Sequence, residues 1–458
     1  MTSFGCSFFR LGWWVGLLCG ALAGTAAELP RGKVLEKVEC AADPKQSYAL
    51  YVPTRFDPKV RSPVLFCFDP GARGRVPVER FAAAAEKFGY IVAGSNNSRN
   101  GPWPANVAAI DAMIRDVDGF FPLDQKRVYV AGLSGGARVA CQVAMNGLAQ
   151  GVVACSAAFP DGTTPDKVAF AFFGTAGVTD FNYQELRRVD RELEERRTTH
   201  RVVIHQGGHE WLSSDLAMQA LGWLDLQAMR TGTLAKDPVR LQAEFGLRRD
   251  AAPAAPGWAR FTALKSLATD FKGLEDTAAL DKEVAQLAAS RDVRNAIKAD
   301  RAAARREESL VTELLTAVRD GFASDVKKTA AQLRARAEGP SPEREMAGRV
   351  LQAVYTNCSE SVRDMLRSGE FAPAEPVLEM MILMRPERPQ AYFDLARCRA
   401  RRGDKKRALV ALEQAVAAGF SDRARVQQEV AFESLRTDPA FLKLVDAIKD
   451  SPGRGVRR

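Results

Sequence analysis

An α/β fold built on a doubly wound, mostly parallel sheet and followed by an all-α C-terminal region is what three features of this sequence predict. Short apolar runs alternate with helical patterns from Ser47 to about Arg230, one run passes straight into a Gly-Leu-Ser-Gly-Gly turn, and strand signals stop after about Lys236. The chain has 458 residues, 46% of them hydrophobic and 26% charged, which is too apolar for a disordered polymer and too long for a single core.

At the N-terminus Arg10 closes a short positive segment, and Leu11 to Ala23 is an apolar run followed by the small residues Gly24 to Ala27. That pattern predicts a signal peptide over residues 1–27 and a periplasmic or secreted mature protein. Cys19 lacks the small residues a lipid-attachment site needs before it. No later stretch approaches the roughly 18 uninterrupted apolar residues of a membrane span. The cysteines beyond it, Cys40, Cys67, Cys141, Cys155, Cys358 and Cys398, lie far apart, with Cys67 and Cys155 in apolar strand-like runs and Cys141 on a helix expected to be buried. They read as small buried thiols rather than a disulfide framework.

The expected strands are Tyr48 to Val52, Val64 to Phe68, Tyr90 to Ala93, Val128 to Ala131, Val152 to Ala157, Val168 to Phe173 and Arg201 to His205. Each is apolar on consecutive positions, as a strand covered on both faces should be. Between them Val107, Ile110, Ile114 and Val117 fall at helical spacing, as do the apolar residues of Arg138 to Leu148. The Pro/Ala-rich stretch Asp250 to Gly257 and the break Gly339-Pro340-Ser341-Pro342 punctuate the helical region. The expected units are 28–235 for the sheet domain, 236–345 for a helical connector and 346–458 for a terminal helical domain.

The net charge of +9 admits an acidic partner, but the helices mix Arg, Lys and Glu, so they read as solvated faces of packed helices and no nucleic-acid partner is expected. In the last unit Gly369, Ala374 and Leu378 recur 34 residues later as Gly403, Ala408 and Leu412. Small residues at Ala396, Ala408 and Ala415 suit closely approaching helices, and Pro386 ends the first copy. This resembles a tetratricopeptide array, and the resemblance implies helix packing or a protein partner.

The chemistry is concentrated in the first unit. Gly132-Leu133-Ser134-Gly135-Gly136 lies between a strand and a helix, the setting in which a strained turn lifts a serine hydroxyl above a sheet. A serine needs a base, and the chain has three histidines, His200, His205 and His209. His200 opens the last strand and reads as a surface residue at the wrong edge; His209, after Gly207-Gly208, is favoured over His205. Metal binding by the three histidines finds no conventional spacing, so no metal and no organic cofactor is expected. Asp180, after the strand Val168 to Phe173, is favoured as the residue that orients the imidazole, with Asp161 as its competitor.

The elbow at Ser134, the aspartate at Asp180 and the Gly-Gly-His ending at His209 make residues 45 to 230 resemble a small α/β-hydrolase, similar to dienelactone hydrolase and polyhydroxybutyrate depolymerase-like esterases. The resemblance implies a Ser-Asp-His triad and an oxyanion hole that uses the Gly135 amide. The second donor is implied in Phe68-Asp69-Pro70-Gly71-Ala72-Arg73, which lacks the usual His-Gly signature; Pro70 has no N–H, which leaves Gly71 or Ala72. The loop Ser95 to Trp103, with Asn97, Arg99 and Trp103, reads either as a contact for a polar substrate group or as a turn cluster. The expected function is an exported serine ester hydrolase acting on small-molecule or polymer esters. A noncatalytic scaffold and a peptidase or thioesterase are the alternatives.

Overall fold

The structure is a computed structural model that describes residues 29–320, 324–340 and 343–448. The expected signal peptide at 1–27 lies outside the described residues. The strands are β1 (Val34–Cys40), β2 (Asp43–Tyr51), β3 (Ser62–Phe68), β4 (Ile91–Ser95), β5 (Leu123–Leu133), β6 (Gly151–Cys155), β7 (Ala171–Gly177) and β8 (His200–His205). The helices of this part are α1 (Arg75–Phe88), α2 (Trp103–Phe120), α3 (Gly135–Met145), α4 (Tyr183–Glu195) and α5 (Ser214–Thr231). They form one eight-stranded sheet in the order β1-β2-β4-β3-β5-β6-β7-β8. Pairing is antiparallel for β1 with β2 and β2 with β4, and parallel from β4 to β8.

The consecutive apolar positions are explained by two cores. Val64, Phe66 and Phe68 of β3 join one cluster with Ile110 and Val117 of α2 and Ala140 of α3. Leu65 and Cys67 point the other way, into a cluster with Phe81 of α1 and Leu221 and Trp223 of α5. All seven residues of β3 are buried, as a central strand between helical layers requires. The doubly wound, mostly parallel sheet is therefore the observed fold.

Two details differ from the sequence reading. β1 was not expected, and the strand expected at Val168 to Phe173 runs instead from Ala171 to Gly177. Gly174 sits inside that strand because a side chain there would meet Phe172, Leu186 and Val202 at 2.9 to 3.2 Å, so space, not propensity, decides the residue.

Among the described residues the elements that follow are helices: α6 (Pro238–Asp250), α7 (Trp258–Phe271), α8 (Ala278–Ala289), α9 (Arg291–Asp320), α10 (Ser324–Glu338), α11 (Arg344–Arg367), α12 (Phe371–Met384), α13 (Pro389–Arg401), α14 (Lys405–Ala417), α15 (Arg423–Gln428) and α16 (Pro439–Ala447). Asp270 of α7, 3% exposed, accepts hydrogen bonds from Trp223 of α5, Arg201 of β8 and Arg248 of α6, tying this region to the sheet domain. Gly369 and Gly403 sit between helices of successive pairs with φ of 75° and 79°, the left-handed conformation of a helix end. Ala374, Leu378, Ala408 and Leu412 are fully buried behind those turns. No helix among the described residues is long and apolar enough to cross a membrane.

Candidate active site

Parallel strands bring their C-terminal ends to one rim, and three loops meet there. The first follows β5. Ser134 has φ 54° and ψ −122°, a conformation that costs a non-glycine residue energy and marks a position the surroundings impose. Its N–H donates to the Cys155 carbonyl at 2.8 Å and its carbonyl accepts from Ala137 at 2.9 Å, so strand and helix grip the turn from both sides. A Cβ on Gly132 would stand 2.0 Å from the Gly136 carbonyl oxygen, and one on Gly136 would stand 2.0 Å from that of Phe68. Only glycine fits at either place.

The second and third loops bring the aspartate to the histidine. Asp180 is fully buried, and its Oδ1 accepts from the Asn182 N–H at 2.9 Å and pairs with His209 Nδ1 at 2.9 Å. The loops are locked to each other: Thr179 donates through its N–H at 3.0 Å and its hydroxyl at 2.7 Å to the Gly207 carbonyl, and Val178 N–H donates to His205 O at 2.9 Å. A side chain on Gly177 would lie 2.3 Å from Gly207 O, which explains why the acid loop turns on glycine. Phe181 stacks on the His209 ring with centroids 4.2 Å apart. With Nδ1 engaged, Nε2 is the ring nitrogen left for a proton transfer. Among the described residues the Ser134 hydroxyl makes no hydrogen bond in this state.

The rival residues fall elsewhere. His205 Nδ1 lies 3.1 Å from the Gln206 carbonyl, and His205 Nε2 is buried without a partner among the described residues. His200, expected on the surface, has only 7% of its side chain exposed. Its Nδ1 meets the Thr198 carbonyl at 2.8 Å and its Nε2 faces Asp190 at 3.4 Å. Burial lowers its pKa, but the Asp190 bond, the Thr198 carbonyl and the charges of Asp190 and Glu194 outweigh that and raise it above the ordinary value. Asp161 lies in the short 3-10 turn Pro160–Gly162, and its side chain lies outside the described residues.

The loop after β3 engages its own amides. Gly71 N–H donates to Asp69 Oδ1 at 2.8 Å and Ala72 N–H donates to Asp69 O at 3.1 Å, so both candidates for the second oxyanion donor are hydrogen-bonded inside their own loop. The cause is Asp69, a fully buried carboxylate that also binds the Arg73 guanidinium and accepts from Trp211 Nε1 at 2.8 Å. Trp211 follows His209 by two residues, so Asp69 joins the loop after β3 to the histidine loop. Nothing in the sequence singled it out.

The polar loop before α2 divides. Asn97 is tied into the fold, accepting from Ser47 N–H at 2.8 Å and donating to Lys45 O at 3.1 Å. Arg99 and Trp103 are exposed, and the Arg99 backbone bridges to Gly71. Asn100, not selected from the sequence, lies against Gly135: a methyl there would come within 1.8 Å of its Oδ1. Its N–H donates to Pro70 O at 2.9 Å, which holds the two loops together.

The helical region also reaches the loop that carries Asp180, a contact between residues far apart in the chain. Arg349 of α11, 7% exposed, pairs with Glu307 of α9 through two bonds of 2.7 Å. Its remaining Nη1 donates to the Val178 carbonyl at 2.6 Å, two residues before Asp180, and its guanidinium lies 4.3 Å above the Tyr183 ring. Gln184 donates to Glu307 at 2.7 Å.

No family model matches the chain, and no curated protein matches it. Solved structures similar to part of it include a fluorophosphonate-binding serine hydrolase of Staphylococcus aureus, at 15% identity over 39% of this chain and 92% of that one, with a TM-score of 0.32. An esterase of Pyrobaculum calidifontis is similar at 13% identity over 44% and 88%, TM-score 0.36. Esterase B of Lactobacillus rhamnosis is similar at 15% identity over 44% and 90%, TM-score 0.35.

Proposed function

We propose that this chain is a serine hydrolase acting on carboxylic esters. The observation that carries the reading is the 2.9 Å bond between His209 Nδ1 and buried Asp180, at the sheet rim where Ser134 occupies its strained turn. In the proposed reaction Ser134 Oγ attacks the ester carbonyl while His209 Nε2 takes its proton. The tetrahedral intermediate then expels the alcohol, which receives that proton, and leaves an acyl-serine that water cleaves by the same steps. Asp180 holds the ring orientation and stabilises the imidazolium. The hydroxyl-to-imidazole bond forms on substrate binding, since such bonds commonly tighten only in the loaded site.

The Gly135 amide is the first oxyanion donor in this reading. The second is the Asn100 carboxamide, because the Gly71 and Ala72 amides are engaged; a half-turn of the side chain brings Nδ2 to the place of Oδ1. In the same proposal, residues 1–27 direct export to the periplasm or beyond, and the paired helices from about 346 onward are a tetratricopeptide-like array that meets a protein partner.

The rival, a scaffold without catalysis, draws on the unbonded Ser134 hydroxyl. Assaying the full chain against short acyl, aryl and carbohydrate esters separates the two. Turnover of at least one class that disappears in Ser134→Ala and in His209→Ala supports the hydrolase. Absence of turnover across all classes, in protein that is folded, favours the scaffold.

A further inference from the structure

At the opposite rim of the sheet a cavity of about 490 Å³ opens between the starts of β5 to β8 and the end of α5. Tyr129 of β5 is part of its wall, and Ser134 lies five residues further along, about 16 Å at the rise of an extended strand. Its volume is within the range of small-molecule sites, roughly 300–1,000 Å³.

The lining is strongly cationic. Lys126, Lys167, Arg197 and Arg230 face a single carboxylate, Asp166, and among the described residues none of the four forms an ion pair. A fifth cation, Arg196, leans on Glu192 at 3.7 Å. Arginines near helix C-termini offset the helix dipole, which explains Arg196 and Arg230 but neither lysine. Burial pushes the Arg230 guanidinium below its usual pKa against the opposing pull of Asp270, a carboxylate already shared by Arg201 and Arg248.

The second observation is independent of charge. Gln227 of α5 is 5% exposed and lines the cavity, yet among the described residues neither its amide oxygen nor its amide nitrogen has a hydrogen-bond partner. A buried carboxamide with both ends unmatched is unfavourable unless something in the cavity satisfies it. Thr199, whose hydroxyl oxygen accepts from Arg230 at 2.8 Å, keeps its own proton to donate. Phe170 and Val168 add an apolar wall.

We propose that this cavity binds a small organic phosphate, separately from the rim that holds Ser134. The cations take the phosphoryl oxygens, Gln227 pairs a hydroxyl or carbonyl of the organic body, and Phe170 covers its apolar edge. This inference does not depend on the hydrolase reading.

The test is calorimetric titration of the full chain with glucose 6-phosphate, glucose and inorganic phosphate at fixed ionic strength. Saturable binding of glucose 6-phosphate, tighter than of inorganic phosphate or glucose, is expected. It should weaken about tenfold or more in Lys126→Ala/Lys167→Ala and in Gln227→Leu, and stay unchanged in Ser134→Ala. The two lysines are exposed, so their loss leaves folding intact even if the buried Gln227 variant fails. No binding of glucose 6-phosphate, binding that survives the lysine variant, or binding lost in Ser134→Ala would each overturn the assignment.

Discussion

Replacing Arg349 with methionine tests whether the helical region is part of the catalytic apparatus. The substitution leaves Glu307, 4% exposed, as a buried carboxylate with Gln184 as its one donor among the described residues, and breaking such a pair costs about 3–5 kcal/mol. It also takes the donor away from the Val178 carbonyl on the acid loop. The double variant Arg349→Met/Glu307→Gln removes the orphaned charge, so most of the lost stability should return, while Val178 still lacks its donor. Stability and activity are therefore expected to separate. Urea unfolding should show the single variant far less stable than the double, whereas ester turnover by both should fall about 10- to 100-fold, the scale of a roughly 1 Å misplacement at a reacting centre. Recovery of turnover together with stability in the double variant would refute a positioning role for Arg349.

Further outcomes follow from the same geometry. Gly136→Ala should fail to fold or lose activity, because its Cβ would sit 2.0 Å from a backbone oxygen that cannot yield; limited proteolysis and circular dichroism report it. Asn100→Ala should lower kcat by about 10²–10³ with KM little changed, as removal of an oxyanion donor does, and an unchanged kcat would return that role to a rearranged loop after β3. His200, with its pKa raised in the folded state, adds stability that is complete below the ordinary imidazole value and is lost as pH rises through the folded one. The stability gap between wild type and His200→Gln should therefore be wider at about pH 5.5 than at about pH 8.5.

The sheet was legible because its central strands are buried on both faces and so read as unbroken apolar runs. β1 was not, since it is a half-exposed edge whose alternation is broken by a shift in pairing between Leu35 and Val38. The elbow was legible for a steric reason, the closeness of Gly132 and Gly136 to neighbouring backbone, which forces those residue types. The engagement of the Gly71 and Ala72 amides was not, because Asp69 captures both through a turn that no residue spacing announces. Nor could Arg349 be selected from the sequence: it is one of 65 Lys and Arg residues, and its target carbonyl lies 171 positions away. His200 shows the same limit, because a carboxylate pair on α4 makes a buried imidazole tolerable where strand position alone suggested exposure.

Active-site labelling reads the activation of Ser134 by the Asp180–His209 pair directly. Mass spectrometry of the intact chain and its peptides after exposure to a fluorophosphonate should find a single adduct, on Ser134, formed much more slowly in His209→Ala and not at all in Ser134→Ala. An adduct on another residue, or labelling at an equal rate without the imidazole, would contradict it.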